Sequence, residues 1–184
     1  MVKNTQILVL AAVMFFSASF SPASVYKVTA GSISFRSDAP LELIKAASNE
    51  LTGLFDTGTK QFAFRIKVNS FKGFNSALQK EHFNENYMES EKFPYASFEG
   101  KMIEDIDYSK PGTYNVRAKG NFVVHGVTQE RIIKVDLLIK EKSISLKSNF
   151  AVLLNDHNIT IPKVVHEKLA SEIKLEVKAD MSAR

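Results

Sequence analysis

A period of two constrains this chain more than any other feature. From Ser32 onward, apolar residues alternate with polar ones in short runs, the pattern of strands with one buried face and one wet face. Ile33 and Phe35 alternate with Ser34 and Arg36, and Phe62, Phe64, Ile66 and Val68 with Ala63, Arg65, Lys67 and Asn69. Tyr114, Val116, Ala118, Gly120, Phe122 and Val124 stand against Asn115, Arg117, Lys119 and Asn121. Ile133, Val135, Leu137 and Ile139 follow, then Ile144, Leu146, Phe150 and Val152, and Ile173, Leu175, Val177 and Ala179 close the series.

Turn-like interruptions separate the runs: Asp56-Thr57-Gly58-Thr59, Pro111-Gly112 and His125-Gly126. Connections this short join antiparallel neighbours, since parallel strands need long crossovers. The fold expected is mainly β and antiparallel, a barrel or a sandwich. Two segments break the alternation. Ser76 to Glu89 reads as a helix: Ser76 and Gln79 form a capping box, Leu78, Phe83 and Tyr87 share one side, and Pro94 blocks continuation. Asn155 to Ser171 contains Pro162 and then a helical turn with Val165 and Leu169 on one face. Both are expected to lie over an end or seam of the sheet, where either can serve as a lid.

Residues 1–23 read as a secretory signal. Lys3 precedes an apolar run from Ile7 to Phe16, and Ser21-Pro22-Ala23 fits a small-x-small cleavage site. Cleavage there leaves residues 24–184 as one domain of 161 residues, enough for a genuine core. The expected location is periplasmic or secreted. The chain contains no cysteine, which excludes disulfides, thiolate chemistry, zinc–cysteine sites and a lipid anchor on cysteine. The net charge of +4 is dispersed, with no polybasic block, so nucleic acid is not expected as a partner; contact with a membrane surface is compatible with the mild basic excess.

Catalytic and metal signatures are absent from the sequence. No G-x-S-x-G elbow occurs, and His82 with Glu85 at i and i+3 falls short of the three protein ligands of a catalytic zinc. Neither a catalytic residue nor a metal ligand is assigned. The arrangement left for an enzyme is His125 with the Asp156-His157 pair, which would suit a small hydrolase or isomerase acting on an apolar substrate. The same three residues also fit turn or head-group contacts.

Four segments together resemble the YceI-like polyisoprenoid-binding family. They are the run from Phe74 to Pro94 (FNSALQKEHFNENYMESEKFP), Ala96-Ser97-Phe98-Glu99-Gly100, Phe122-Val123-Val124-His125-Gly126-Val127-Thr128, and the stretch from Phe150 to Pro162 with Asp156-His157 and Ile159-Thr160-Ile161-Pro162. The resemblance spans the chain after the signal, in order. It implies an extended, lipocalin-like antiparallel β-barrel of about eight strands with one or two short helices inserted. It also implies that an isoprenoid or quinone lipid is bound, transported or stored inside that barrel in the cell envelope, with no other cofactor. The likeness to lipocalins is architectural, since the chain has no Trp.

The cavity residues expected on that basis are Ile33, Phe35, Phe62, Phe64 and Ile66, then Phe83 and Tyr87 of the insertion, and Phe98. Tyr114, Val116, Ala118, Gly120 and Phe122 follow, with Ile133, Val135, Leu137, Leu146 and Phe150. His125, Asp156 and His157 are the candidates for head-group or turn contacts. Eight-stranded barrels are either filled by side chains or hollow enough for one small ligand. The alternation alone leaves both open, including a closed-core stress or interaction module. The oligomeric state is equally open, a dimer being one option.

Overall fold

The computed structural model describes residues 24–184, so the expected signal over residues 1–23 lies outside the described residues. Among the described residues, nine strands form one antiparallel sheet. They are β1 (Val25–Asp38), β2 (Leu43–Ser48), β3 (Thr52–Asp56), β4 (Gln61–Lys67), β5 (Tyr95–Met102), β6 (Gly112–Val124), β7 (Val127–Lys140), β8 (Ser143–Leu153) and β9 (Glu172–Ala183). The order is β2-β1-β3-β4-β5-β6-β7-β8-β9, and β9 pairs back onto β1 from Tyr26↔Ala183 to Ser37↔Ile173. Eight strands therefore close a barrel, and closure removes most of the unpaired edge that an open sheet would present. The ninth strand, β2, pairs with the second half of β1 from Ile33↔Ser48 to Asp38↔Leu43, beyond the Val25–Lys27 stretch that pairs with β3.

A bulge at Thr29 interrupts the β1–β9 register between Val28 and Ala30. The extra residue inverts the parity, so Tyr26 and Val28 point inward before it and Ile33 and Phe35 after it. The β6–β7 connection is a two-residue hairpin: Val124 pairs with Val127, and His125 and Gly126 both have positive φ (51° and 70°). This is the geometry of a type I′ turn, whose twist matches that of the flanking strands.

All connections at one end are short or packed. There Asp56 Oδ1 accepts from the Gly58 and Thr59 amides, and the loop after β5 packs Ile106 and Tyr108 against the core, with Tyr108 edge-on to Phe55 at 5.2 Å. The opposite end carries the loop at 39–42, the insertion at 68–94, the His125-Gly126 hairpin and the loop at 154–171. Helix α1 (Ala77–His82) lies within the insertion and widens into a π-helical turn over Phe83–Tyr87, marked by the Met88 amide bonding to the Phe83 carbonyl five residues back. Ser76 Oγ caps α1 by accepting from the Gln79 amide. Gln79 Oε1 reaches back to the Asn75 amide, one residue earlier than the capping-box pattern places it.

Candidate ligand-binding cavity

The barrel interior changes character along its length. Towards the end carrying the Asp56 turn, the inward residues are fully packed: Phe55, Leu137 and Ile144 are 0% exposed, with Ile139, Met181 and Val116 beside them. Further up, Phe122, Ile133 and Val152 stay buried, but several other inward residues are only half-buried although they face the barrel axis. On β9 the sequence runs from half-buried Ile173, Leu175 and Val177 to buried Ala179 and Met181. Phe64, Phe98 and Phe150 are likewise half-buried on β4, β5 and β8. Side chains of this kind keep accessible area while pointing inward only where the interior contains space. One half of the barrel is filled and the other is hollow.

The space is a cavity of about 210 Å³ whose floor is formed by Phe62, Met102, Ala118, Val135 and Leu146. For comparison, apolar cavities of about 150 Å³ take up benzene-sized molecules. Ile33 and Phe35 of β1, Phe64 and Ile66 of β4, Phe98 of β5, Phe122 of β6, Ile133 of β7 and Phe150 of β8 line it. Phe83 and Tyr87 cover it from the π-helical turn, together with Met88. Two polar members of the wall, Ser148 and Arg65, are held by other partners. Ser148 Oγ donates to the Lys134 carbonyl at 2.7 Å, and the Arg65 guanidinium sits over the Tyr95 ring, 5.1 Å from its centroid. Among the described residues no charged group is offered to a ligand's body.

An aromatic cluster holds the insertion in place. Phe83 stacks on Phe35 at 5.4 Å with an 18° interplanar angle, and Phe71 and Phe74 pack against both. A second aromatic line runs around the wall: Phe62 to Phe98 at 4.9 Å, Phe98 to Phe122 at 6.1 Å and Phe122 to Phe150 at 5.7 Å. Large rings of this kind supply rigid apolar wall at low entropy cost.

Four expected wall residues lie elsewhere. Tyr114, Val116 and Leu137 belong to the filled end, because the hollow part begins above them; Tyr114 donates its hydroxyl to the Lys110 carbonyl. Gly120 faces the axis, but a Cβ there would lie 2.1 Å from the Glu99 carbonyl oxygen and 2.9 Å from the Gly100 Cα. It is a close approach of two backbones, not open space. The expected common side of Leu78, Phe83 and Tyr87 is also not formed. The π-helical widening turns Phe83 and Tyr87 onto the cavity and leaves Leu78 58% exposed. Conversely, Leu51, Phe71, Leu154 and Ile159 line the cavity from segments where no periodicity marks them, and Leu169 lines it from the helical turn expected after Pro162.

His125, Asp156 and His157 gather at the rim, yet none contributes to the cavity wall. His125 Nδ1 lies 3.0 Å from the His157 carbonyl oxygen and Nε2 lies 2.7 Å from Glu89 Oε2. Its ring also meets Phe93 edge-on at 4.9 Å. One side chain thus joins the insertion, the hairpin and the loop after β8. His157 is 0% exposed, with Nδ1 3.3 Å from the Val127 carbonyl oxygen and its ring edge-on to Phe122. Burial pushes its imidazole below the usual histidine range, so the ring is neutral near pH 7. Asp156 is exposed and takes part through its carbonyl, which accepts from Gln129 Nε2. These contacts pin loops together; they do not assemble a nucleophile and base around the cavity. His82 and Glu85 are exposed on the insertion, and no group of three or more His, Asp or Glu side chains suited to a metal ion is found among the described residues.

The model of the YceI-like domain matches residues 23–181. The chain belongs to the YceI-like family. Solved structures agree at the level of fold. A polyisoprenoid-binding domain from Saccharophagus degradans, implicated in plant cell wall breakdown, superposes with a TM-score of 0.74 at 12% identity, covering 89% of this chain and 100% of its own. Burkholderia cenocepacia BcnA gives 0.66 at 14% identity over 82% of this chain and 95% of its own. A Campylobacter jejuni YceI protein gives 0.58 at 16% identity over 76% and 84%. A comparison with curated proteins returns no match. The YceI-like barrel is thus retained here at low sequence identity, with its filled end and hollow end both built from this chain's own residues.

Proposed function

We propose that this protein binds the hydrocarbon chain of an isoprenoid lipid, of quinone or polyprenol type, and carries or stores it in the cell envelope without chemically altering it. The observation that carries the reading is the division of the barrel into a packed half and a hollow half with an apolar, aromatic-rich wall. A prenyl chain has almost no hydrogen-bonding groups, so its affinity must come from area removed from water. At about 0.8 kcal/mol per buried CH₂, a few isoprene units suffice for micromolar binding after ordering costs. With no charged group among the described residues directed at the cavity, the lipid's polar end is expected at the rim. The likeness to the Saccharophagus polyisoprenoid-binding domain supports the same ligand class. The secretory signal read in residues 1–23 supports the envelope location.

The chain's lack of tryptophan provides a clean test. A Phe98→Trp variant places a single indole in the wall. Titration with a prenylquinone should quench its emission saturably, and a polyprenol should shift the emission to shorter wavelength. Unchanged emission with both lipids refutes the proposal.

A further inference from the structure

The barrel wall is laddered by backbone pairing around its circumference except at two places near the hollow end. One is the gap beside β2, where the insertion bonds across through Ala47 and Lys72. The other is between β7 and β8. Their ladder runs from Lys140↔Ser143 to Asp136↔Lys147 and stops, although β7 continues as a strand back to Val127 and β8 forward to Leu153. The neighbouring pairs β6–β7 and β8–β9 stay in register along their whole length. Above Asp136 the two strands are joined by side chains. Ser148 Oγ donates to the Lys134 carbonyl at 2.7 Å, Arg131 Nη2 to the Ala151 carbonyl at 2.8 Å, and Gln129 Nε2 to the Asp156 carbonyl at 2.9 Å.

The hollow half lies directly behind this cleft, since Ile133 and Val135 on β7 and Phe150 and Val152 on β8 all line the cavity. Phe122 of β6 meets Phe150 of β8 edge-on behind β7, closing the cleft from within. On the outer surface Ile132 and Leu153, 57% and 47% exposed, flank it. The mouth of the barrel, by contrast, is covered by an insertion held through the Phe35–Phe83 stack and the His125–Glu89 contact. Removing that cover breaks an aromatic cluster and a charge-assisted bond. Parting the cleft breaks these three side-chain bonds and, at its top, the contacts of His157 Nδ1 with the Val127 carbonyl and of His125 Nδ1 with the His157 carbonyl, but no backbone ladder.

We infer that the β7–β8 cleft is the lateral portal through which a lipid chain enters and leaves the cavity, with Arg131 as its clasp and the Phe122–Phe150 pair as its inner gate. This rests on the lipid-binding reading. A side opening lets a long chain slip in along its length, so its polar end need not be drawn through the barrel. Ile132 and Leu153 give the entering chain an apolar approach.

The cysteine-free chain permits a direct test. Lys134→Cys with Asn149→Cys places two thiols on the outer surface, one on each strand just above the end of the ladder, and a short bismaleimide then staples the cleft. Lys147→Cys with Lys178→Cys, a register pair of the β8–β9 ladder, is the control. The rate measured is transfer of a long-chain polyprenol from phosphatidylcholine vesicles. The stapled cleft should slow transfer about tenfold or more, and the control staple should not change it. Arg131→Ala should speed release about tenfold, the kinetic equivalent of about 1.4 kcal/mol. Unchanged rates in both the stapled cleft and Arg131→Ala, in a protein that still takes up polyprenol, overturn the portal and leave the lipid reading standing. Unstapled protein that takes up no polyprenol overturns both.

Discussion

Leu137→Ala and Leu175→Ala remove the same atoms from the two halves of one barrel, and the account predicts unequal costs. Leu137 is 0% exposed, held between its register partners Tyr114 and Leu146 in the filled end. Deleting its three terminal carbons forfeits about 2.4 kcal/mol of transfer free energy at about 0.8 kcal/mol per group. The gap left in a packed region adds a cavity penalty, bringing the loss to about 3–5 kcal/mol. Leu175 is half-buried and already borders open space, so truncation there creates no new void and forfeits only part of the transfer free energy. Its cost should be about 1 kcal/mol. Urea unfolding of the two variants, with m-values unchanged from the parent, reads the difference as midpoint shifts. Leu175→Ala should also weaken prenyl-lipid binding, whereas Leu137→Ala should leave affinity intact in the folded fraction. Equal destabilisation by the two variants would mean that the upper half is packed as tightly as the lower, and the division into filled and hollow ends would be wrong.

Three further outcomes follow from the rim. Because burial holds the His157 imidazole below the ordinary value of 6.5, the unfolded chain takes up a proton that the folded chain resists. Stability from this group is complete above about pH 6.5 and falls as pH drops from there towards the lowered folded value, by up to about 1.4 kcal/mol per pH unit; His157→Gln should flatten that slope in urea titrations between pH 7 and pH 5. Gly126→Ala places a Cβ at φ +70°, 2.4 Å from the Phe93 ring edge, and should cost about 2 kcal/mol or more by thermal unfolding, with the insertion displaced. His125→Asn retains a residue that tolerates the left-handed turn but deletes the Glu89 contact; it should cost about 1–2 kcal/mol and speed limited proteolysis near residues 84–93.

Long, clean alternation made β4, β6, β7, β8 and β9 legible in the sequence, because each keeps one parity from end to end. The first half of β1 was not, since the bulge at Thr29 switches the inward face midway and destroys the pattern over Val25–Ser32. β2 and β3 are only six and five residues long, too short for a period to stand out, and β2 has one laddered neighbour. The Ser76 cap was readable, as was the insertion's role as a cover. The π-helical widening was not, and with it went the true facing of Leu78. Within the wall, many strand residues above the floor could be picked out by parity, although Val124, Val152 and the β9 residues Ile173, Leu175 and Val177 were not among those expected there. The height of the floor could not, because Leu137 and Ile133 look alike in sequence and differ only in what fills the barrel beside them. Gly120, in phase with the expected wall, likewise proves to be a contact between backbones.

The central claim is that the hollow half holds a prenyl chain, and the most direct measurement is the mass of the protein as cells make it. Purified under non-denaturing conditions and sprayed intact, the protein should carry one adduct that organic extraction releases as an isoprenoid lipid. The adduct should be lost when Phe98 and Phe150 are both replaced by charged residues in a variant whose circular dichroism stays that of a β-protein. A protein that flies at its bare mass, yields no lipid on extraction and acquires none on incubation with polyprenol or prenylquinone would contradict the account.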